Sequence, residues 1–332
     1  MKELGIDVMR PKKMYKKLLQ LREISGEKFY HEYNDKFIHT TCPVCGKNGE
    51  FEFIKYGFYH RRCFDCRTLF TSPRPSQELL FKYYNEYEAP RFWTKVLLST
   101  DLARKTIQYE PRVKKIISLM KERNPNISEL AVDVGAGSGA FALVLKRQKY
   151  FRKVLALDFS KACIEQCKKI GLYSKLGSVE LLKDNSVDLL TMNDLIEHLS
   201  YPKSFLEKCF NVLRNSGFIS IACPNGEGFD FKILKEKTIN ITPPEHLNYF
   251  NPGSIKSLLE QIGFNQIFIE TRGTLDVQII EREINDRKID ISKNNEWLYY
   301  LFKECTKYAK DNFQNFLSKN NLSSHMLIIA QK

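Results

Sequence analysis

The chain has 332 residues, of which 43% are apolar, 27% charged and 12% aromatic. This mix is that of a soluble globular protein with room for two domains; it excludes a disordered chain, and no apolar run approaches the roughly 18 residues of a membrane span. The net charge of +13 invites a nucleic-acid partner, but the excess is spread along the chain, and its densest cluster is only Arg10, Lys12, Lys13, Lys16 and Lys17.

Residues 1–38 form the first segment. MKELGIDVMRPKK lacks the apolar core of a secretory leader, so a cytoplasmic protein is expected. RPKKMYKKLLQLREI (10–24) predicts a basic amphipathic helix with a solvated outer face. Residues 39–75 carry the pairs Cys42-Pro-Val-Cys45 and Cys63-Phe-Asp-Cys66. Each pair offers two thiolates from one tight turn, and two such turns complete a tetrahedral zinc site. Four protein ligands leave no open position, so this zinc is structural. GEFEFIKYGFYHRR, between the pairs, reads as a β-hairpin. The other cysteines (Cys163, Cys167, Cys209, Cys223 and Cys305) lie among apolar neighbours, and an odd total of nine argues against a disulfide framework.

SPRPS (72–76) suits a boundary linker, and residues 76–129 read as a helical connector in which Tyr83, Tyr84 and Tyr87 form a packing stripe. In residues 130–274 strands and helices alternate, which implies a parallel sheet wound on both faces. The strands are Leu130–Val134, VLALD ending at Asp158, SVDLLTMND (186–194), FISIACPN (218–225) and QIFIET (266–271), with HMLIIAQ (325–331) closing the chain. Residues 275–323 read as a mostly helical insertion whose aromatics, Trp297, Tyr299, Tyr300, Phe302 and Tyr308, imply one buried face. An insertion of that size suits a substrate lid or a dimer surface.

The first strand runs into Gly135-Ala-Gly137-Ser-Gly139, a turn through which backbone approaches a ligand closely, and Asp158 ends the second strand where an acid can accept both hydroxyls of a ribose. The glycines formally suit a nicotinamide dinucleotide as well. Asp133, inside the first turn, would repel a pyrophosphate but suits the cationic amino-acid end of S-adenosylmethionine. Chemistry on such a donor needs a proton acceptor beside the acceptor atom. Two Glu-His pairs emerge from the carboxyl ends of strands: Glu197-His198, and Glu245-His246 in TPPEHLNYF. His246, framed by Pro243, Pro244, Tyr249 and Phe250, is the preferred base, Glu245 the second candidate. His198 is expected to shape the donor pocket or cap a helix. His31, His39 and His325 are expected to be surface or packing residues.

VDVGAGSGAF, ALDFS, SVDLLTMNDLIEHLSYP and LRNSGFISIACPN together resemble a class I S-adenosylmethionine-dependent methyltransferase over residues 100–332. The resemblance implies a Rossmann-like seven-stranded α/β sheet with an antiparallel last strand. It places Gly135, Gly137 and Gly139 at the donor's amino-acid end, Asp158 at the ribose, Phe159 beside the adenine, and Asn193 and Asp194 beside the methionine moiety. With CPVCG, RCFDC and SPRPS ahead of it, the chain also resembles bacterial sugar- and polysaccharide-pathway methyltransferases, in which a Glu-His pair serves the active site and connector aromatics reach over the substrate. Those enzymes often carry a tyrosine where this chain has Pro243, which leaves O- and C-methylation both open. The implied acceptor is a sugar nucleotide or another glycan-pathway metabolite. The competing expectations are an rRNA or tRNA methyltransferase whose zinc module binds RNA, a non-catalytic scaffold and, least favoured, a nicotinamide oxidoreductase.

Overall fold

The computed structural model describes residues 6–126, 128–271, 273–287 and 296–332, with backbone only at position 102. Eleven strands make two sheets among these residues: β1 Gly49–Lys55, β2 Phe58–Cys63, β3 Leu69–Thr71, β4 Leu130–Val134, β5 Lys153–Asp158, β6 Tyr173–Leu176, β7 Val187–Asn193, β8 Leu213–Pro224, β9 Asn248–Tyr249, β10 Asn265–Glu270 and β11 His325–Gln331. The large sheet has the order β10-β11-β8-β7-β4-β5-β6, with β11 antiparallel to both its neighbours and the strands from β8 to β6 paired in parallel. This is the Rossmann-like seven-stranded arrangement that the sequence predicts.

Strand composition explains the layering. β7 is buried along nearly its whole length, as a parallel strand covered on both faces must be. Successive side chains then feed opposite cores. Val132, Leu190 and Ile221 enter one apolar cluster, while Ala131, Leu189 and Ala222 enter the other. Helices Ala140–Arg147 and Glu110–Arg123 cover the second face; Pro202–Val212 and Pro252–Ile262 cover the first.

The small sheet, β1-β2-β3-β9, is antiparallel and joins distant parts of the chain. Its hairpin is the one expected between the cysteine pairs. Its fourth strand comes from the loop after β8, with Leu69 opposite Tyr249 and Phe70 opposite Asn248. Cys42, Val44, Cys63 and Phe70 lie in the same cluster as Val132, Leu190 and Ile255. The cysteine-bearing segment therefore has its apolar interior in common with the large sheet.

Three expectations change. SPRPS is no linker: Ser72 and Arg74 are buried, and Arg74 exchanges two backbone hydrogen bonds with Ile38 (2.8 and 2.9 Å). Arg74 makes an isolated antiparallel bridge with Ile38 there, so the segment is a structural tie instead of a spacer. The aromatic stripe of the insertion is not its buried face. Trp297, Tyr299, Tyr300 and Tyr308 are exposed, and of that run only Phe302 is buried. Leu298 and Leu301 join it against Val277, Ile280, Ile284 and Leu317, because the aliphatic positions already supply a helical stripe. The N-terminal helix is longer than expected, Lys12–Tyr33, and its inner face carries Tyr15, Leu18, Arg22, Ser25, Gly26 and Phe29.

Phe70, fully buried at the junction of the two sheets, tests the shared interior. Phe70→Ala is expected to cost about 3–5 kcal/mol and to lower a single calorimetric transition; two separated transitions would contradict a common core.

Candidate active site

The four cysteine sulfurs converge. Cys42 and Cys66 are 3.4 Å apart, Cys45 and Cys63 3.3 Å, and Cys45 and Cys66 3.8 Å. Sulfurs bonded to one tetrahedral zinc at about 2.3 Å lie roughly 3.8 Å from one another, so the cluster fits that ion with a slight expansion. Hydrogen bonding from Cys42 and Thr68 pulls the Cys66 thiol down, while the same contact and burial push the Cys42 thiol up, so the two titrate as a pair. His60, inside the hairpin, is not a ligand. It is buried, stacked on Phe53 with ring centroids 4.7 Å apart, and bonded through Nδ1 to the Phe58 carbonyl.

The glycine turn follows β4 and opens at the carboxyl edge of the large sheet. Gly137 has φ +53°, and a side chain built on it would meet nothing within 4 Å. Its backbone thus faces open space, as a cradle for a ligand would. The Gly137 N–H donates to Asp158 Oδ2 (2.9 Å) and the Ser160 N–H to Oδ1 (2.8 Å), which fixes the Asp158 carboxylate across the turn. Asp133 is buried, accepts the Thr191 hydroxyl at 2.6 Å, and is pushed up by that burial to about 7. Its charge is therefore weaker than its sequence position suggests, although its place under the turn is as expected. Phe159 is exposed and packs against Phe81, with centroids 4.8 Å apart.

Asn193 ends β7, Asp194 follows it, and both carry partners the sequence did not announce. Arg112 donates to Asn193 Oδ1 (2.9 Å), and His325 Nε2 lies 2.7 Å from Asp194 Oδ1. His325, expected to be a surface or packing residue, thus belongs to the site, because antiparallel β11 starts at the edge where the parallel strands end. The connector also supplies Asp101, which accepts the Ser138 hydroxyl of the glycine turn at 3.0 Å.

The two Glu-His pairs meet beside this edge. The His198 and His246 rings are nearly perpendicular, with centroids 4.6 Å apart. The Nδ1–H of His246 donates to the Asn240 carbonyl (2.9 Å), which leaves the Nε2 lone pair free. His198 Nδ1 shares a 2.6 Å hydrogen bond with the Tyr84 hydroxyl. Desolvation lowers both imidazoles, His246 furthest because His198 and Arg22 add to the effect, so both are neutral near pH 7. The two glutamates differ. Glu245 is buried and receives Arg22 through Nη2 (2.7 Å) and Nε (3.3 Å), with Arg22 itself 5.3 Å from the centroid of the Trp93 ring. Glu197 is fully buried, burial pushes its carboxyl far up, and neither of its oxygens has a hydrogen-bond partner among the described residues.

Asn248 locks the two loops together. Its Nδ2 donates to the Leu199 carbonyl (2.7 Å) and, at 3.4 and 3.5 Å, to those of Ile196 and Glu197, while its Oδ1 accepts Arg74 Nη1 at 3.0 Å. Arg74 also donates to the carbonyls of Thr71 and Ser200. Sequence reasoning missed Arg22, Arg74, Asn248, Arg112 and Asp101. For Arg22 a signal existed: it falls on the apolar stripe of its helix, at Leu18, Arg22, Ser25 and Phe29. Isolated polar residues such as Asn248 and Arg74 give none.

With the site in place, comparison with known proteins is informative. A methyltransferase-domain family model matches residues 132–221, the stretch from β4 into β8. The uncharacterised protein MJ1123 of Methanocaldococcus jannaschii is 26% identical over 138 residues, 41% of this chain and 64% of that protein. A Mycolicibacterium smegmatis protein named "Probable S-adenosylmethionine-dependent methyltransferase" is 28% identical over 138 residues, 40% of this chain and 51% of that one. The chain thus spans 64% and about half of the lengths of these relatives. A chain of the Haloferax volcanii complex containing the Trm112 methyltransferase activator superposes with a TM-score of 0.50 at 15% identity, covering 72% of this chain and 95% of that one, a likeness of fold. Residues 132–221 thus match a methyltransferase domain, and they lie within a sheet of Rossmann-like seven-stranded order. No helix among the described residues is long and apolar enough to cross a membrane.

The buried Arg22–Glu245 pair makes a direct test. Arg22→Met leaves a buried carboxylate uncompensated and is expected to cost about 3–5 kcal/mol in urea denaturation, most of it recovered when Glu245→Leu is added. A double-variant loss equal to the sum of the Arg22→Met and Glu245→Leu losses would show that the pair is not coupled.

Proposed function

We propose that the chain transfers a methyl group from S-adenosylmethionine to a small sugar-type acceptor, a sugar nucleotide or a glycan-pathway metabolite, held between the loops after β7 and β8. The observation that carries this reading is the placement of two different devices at one sheet edge. One is an open glycine turn bound to Asp158. The other is a neutral imidazole, His246, with a free Nε2. Open α/β sheets bind ligands at this edge.

The residues present fit the donor. Gly135, Gly137 and Gly139 would line its amino-acid end above Asp133, Asp158 would take the ribose hydroxyls, Phe159 would border the adenine, and Asn193 and Asp194 would flank the methionine moiety. Bound there, the donor supplies a sulfonium-activated methyl carbon. His246 accepts the proton that the acceptor atom loses as it is methylated, and the Asn240 carbonyl keeps the correct tautomer for that task. Tyr84 and His198 fix the wall of the pocket. Glu245, ion-paired with Arg22, acts as an anchor of the loop rather than as a base. Zn2+ on Cys42, Cys45, Cys63 and Cys66 is structural: it stiffens the segment whose strand β3 holds β9 in register.

The sugar-type acceptor rests on the resemblance of the cysteine segment and methyltransferase domain together. The spread of the basic charge argues against an RNA acceptor. Acceptor binding that weakens steeply with salt would reverse that choice.

Calorimetry is expected to give saturable S-adenosylmethionine binding, weakened about tenfold or more in Asp158→Ala through loss of charge-assisted hydrogen bonds. His246→Ala is expected to keep donor affinity and lose roughly 10²–10⁴ in kcat against the acceptor found by screening sugar nucleotides. A folded chain that binds no donor would refute the proposal. Mass spectrometry under native conditions should find a zinc ion on the four cysteines that Cys66→Ser releases.

A further inference from the structure

Glu197 is the one feature of the pocket that the proposed chemistry leaves idle. A carboxyl group wholly enclosed by protein, with no donor to either oxygen, is costly unless something else occupies it. Glu245, nearby, has its arginine; Glu197 has none within ion-pairing distance among the described residues. What Glu197 does have is company. One ligand atom from each of Glu197, His198 and His246 lies within 4.8 Å of those of the other two. Both imidazoles are held from behind, His246 by the Asn240 carbonyl and His198 by the Tyr84 hydroxyl. Such outer hydrogen bonds orient histidines that ligate metals. Both rings are half-buried, so the pocket is reachable from their side while Glu197 forms its floor.

We infer that Glu197, His198 and His246 form a second divalent-metal site, separate from the four cysteines, that takes Zn2+ or a similar ion through two imidazoles and one carboxylate. Metal bonds of about 2.0–2.2 Å in tetrahedral geometry place ligand atoms roughly 3.4 Å apart, so side chains whose ligand atoms lie within 4.8 Å of one another close by up to about 1.4 Å on the ion, through rotation of the two half-buried rings. Two nitrogens and one oxygen select a borderline transition ion over Mg2+ or Ca2+. Three protein ligands leave positions open to water. The ion engages the Nε2 lone pair on which proton acceptance depends, so its occupancy switches methyl transfer off. The binding stands on the geometry alone; the inhibition rests also on the methyl-transfer reading.

The test uses the full chain, stripped of metal and titrated with Co2+. Two equivalents are expected: one with the intense sulfur-to-metal absorption of the cysteine site, one with only weak visible bands. Glu197→Gln and His246→Ala are each expected to lose the second and keep the first. Glu197→Gln keeps the side chain's shape and breaks no hydrogen bond, so loss of its second equivalent is not a folding effect. With the acceptor in hand, added Zn2+ should inhibit the wild type, while Glu197→Gln, referred to its own metal-free rate, needs at least about tenfold more Zn2+ for the same fractional inhibition. A single equivalent, or a second one unchanged in both variants, overturns the site. Acceleration by Zn2+ overturns the inhibition. A chain that binds the second Co2+ but transfers no methyl group sustains the site and refutes the methyl-transfer reading instead.

Discussion

The two-residue pairing of β9 with β3 is the contact on which the rest of the site depends. It is short, but it lies in the middle of a continuous chain of backbone bonds. The Thr71 N–H donates to the Leu247 carbonyl, and the Leu247 N–H donates to the Glu197 carbonyl, at 2.9 and 2.8 Å. A single extended stretch, Leu247 to Tyr249, thereby touches the cysteine segment on one side and the loop after β7 on the other. Asn248, buried within it, repeats the connection with its side chain. Loops that carry reactive groups are normally the least restrained parts of an α/β enzyme. Here both are tied to a third element, and the rigidity of that element sets the spacing of His198 and His246.

The same loop is secured electrostatically from a different direction. The helix Lys12–Tyr33 brings Arg22 to Glu245, and Gly26 allows the helix to come close: a side chain there would meet the Pro243 carbonyl at 2.9 Å. The ion pair therefore contributes geometry more than stability, since desolvation offsets much of its attraction. Its cation also lies 5.3 Å from the Trp93 ring centroid, which links the connector to the same anchor. Four separate stretches of sequence thus converge on the seven residues from Thr242 to Asn248.

What was legible in the sequence divides along physical lines. The large sheet was readable because buried parallel strands are written as apolar runs such as LLTM in β7, and the glycine turn because open backbone demands small residues. The cysteine pairs were readable because two such pairs at that spacing can bring four sulfurs together, as they do here. β9 was not, because two residues carry no periodicity, and β6, with three of its four residues exposed, had no apolar run to mark it. Asp133 was legible in position but not in its raised carboxyl pKa, which burial dominates against the opposing Thr191 hydrogen bond. His325 and Arg112 reach the donor edge only through strand order and the packing of the connector. The misplaced aromatic face of the insertion arose from ranking aromatic bulk above the spacing of Leu298 and Leu301, which packs first.

The common interior of the cysteine segment and the large sheet has a consequence for recombination. A methyltransferase domain is usually thought of as a cassette that can be excised, grafted or given a new accessory module. In this chain the cut that would free the accessory segment also removes three strands from beneath β9, together with Cys42, Val44, Cys63 and Phe70 from a core that serves the catalytic sheet. The heritable unit is consequently the whole assembly. New acceptor preferences can arise by substitution within the loops, but exchange of the accessory segment must carry the loop from Pro243 to Asn251 along with it.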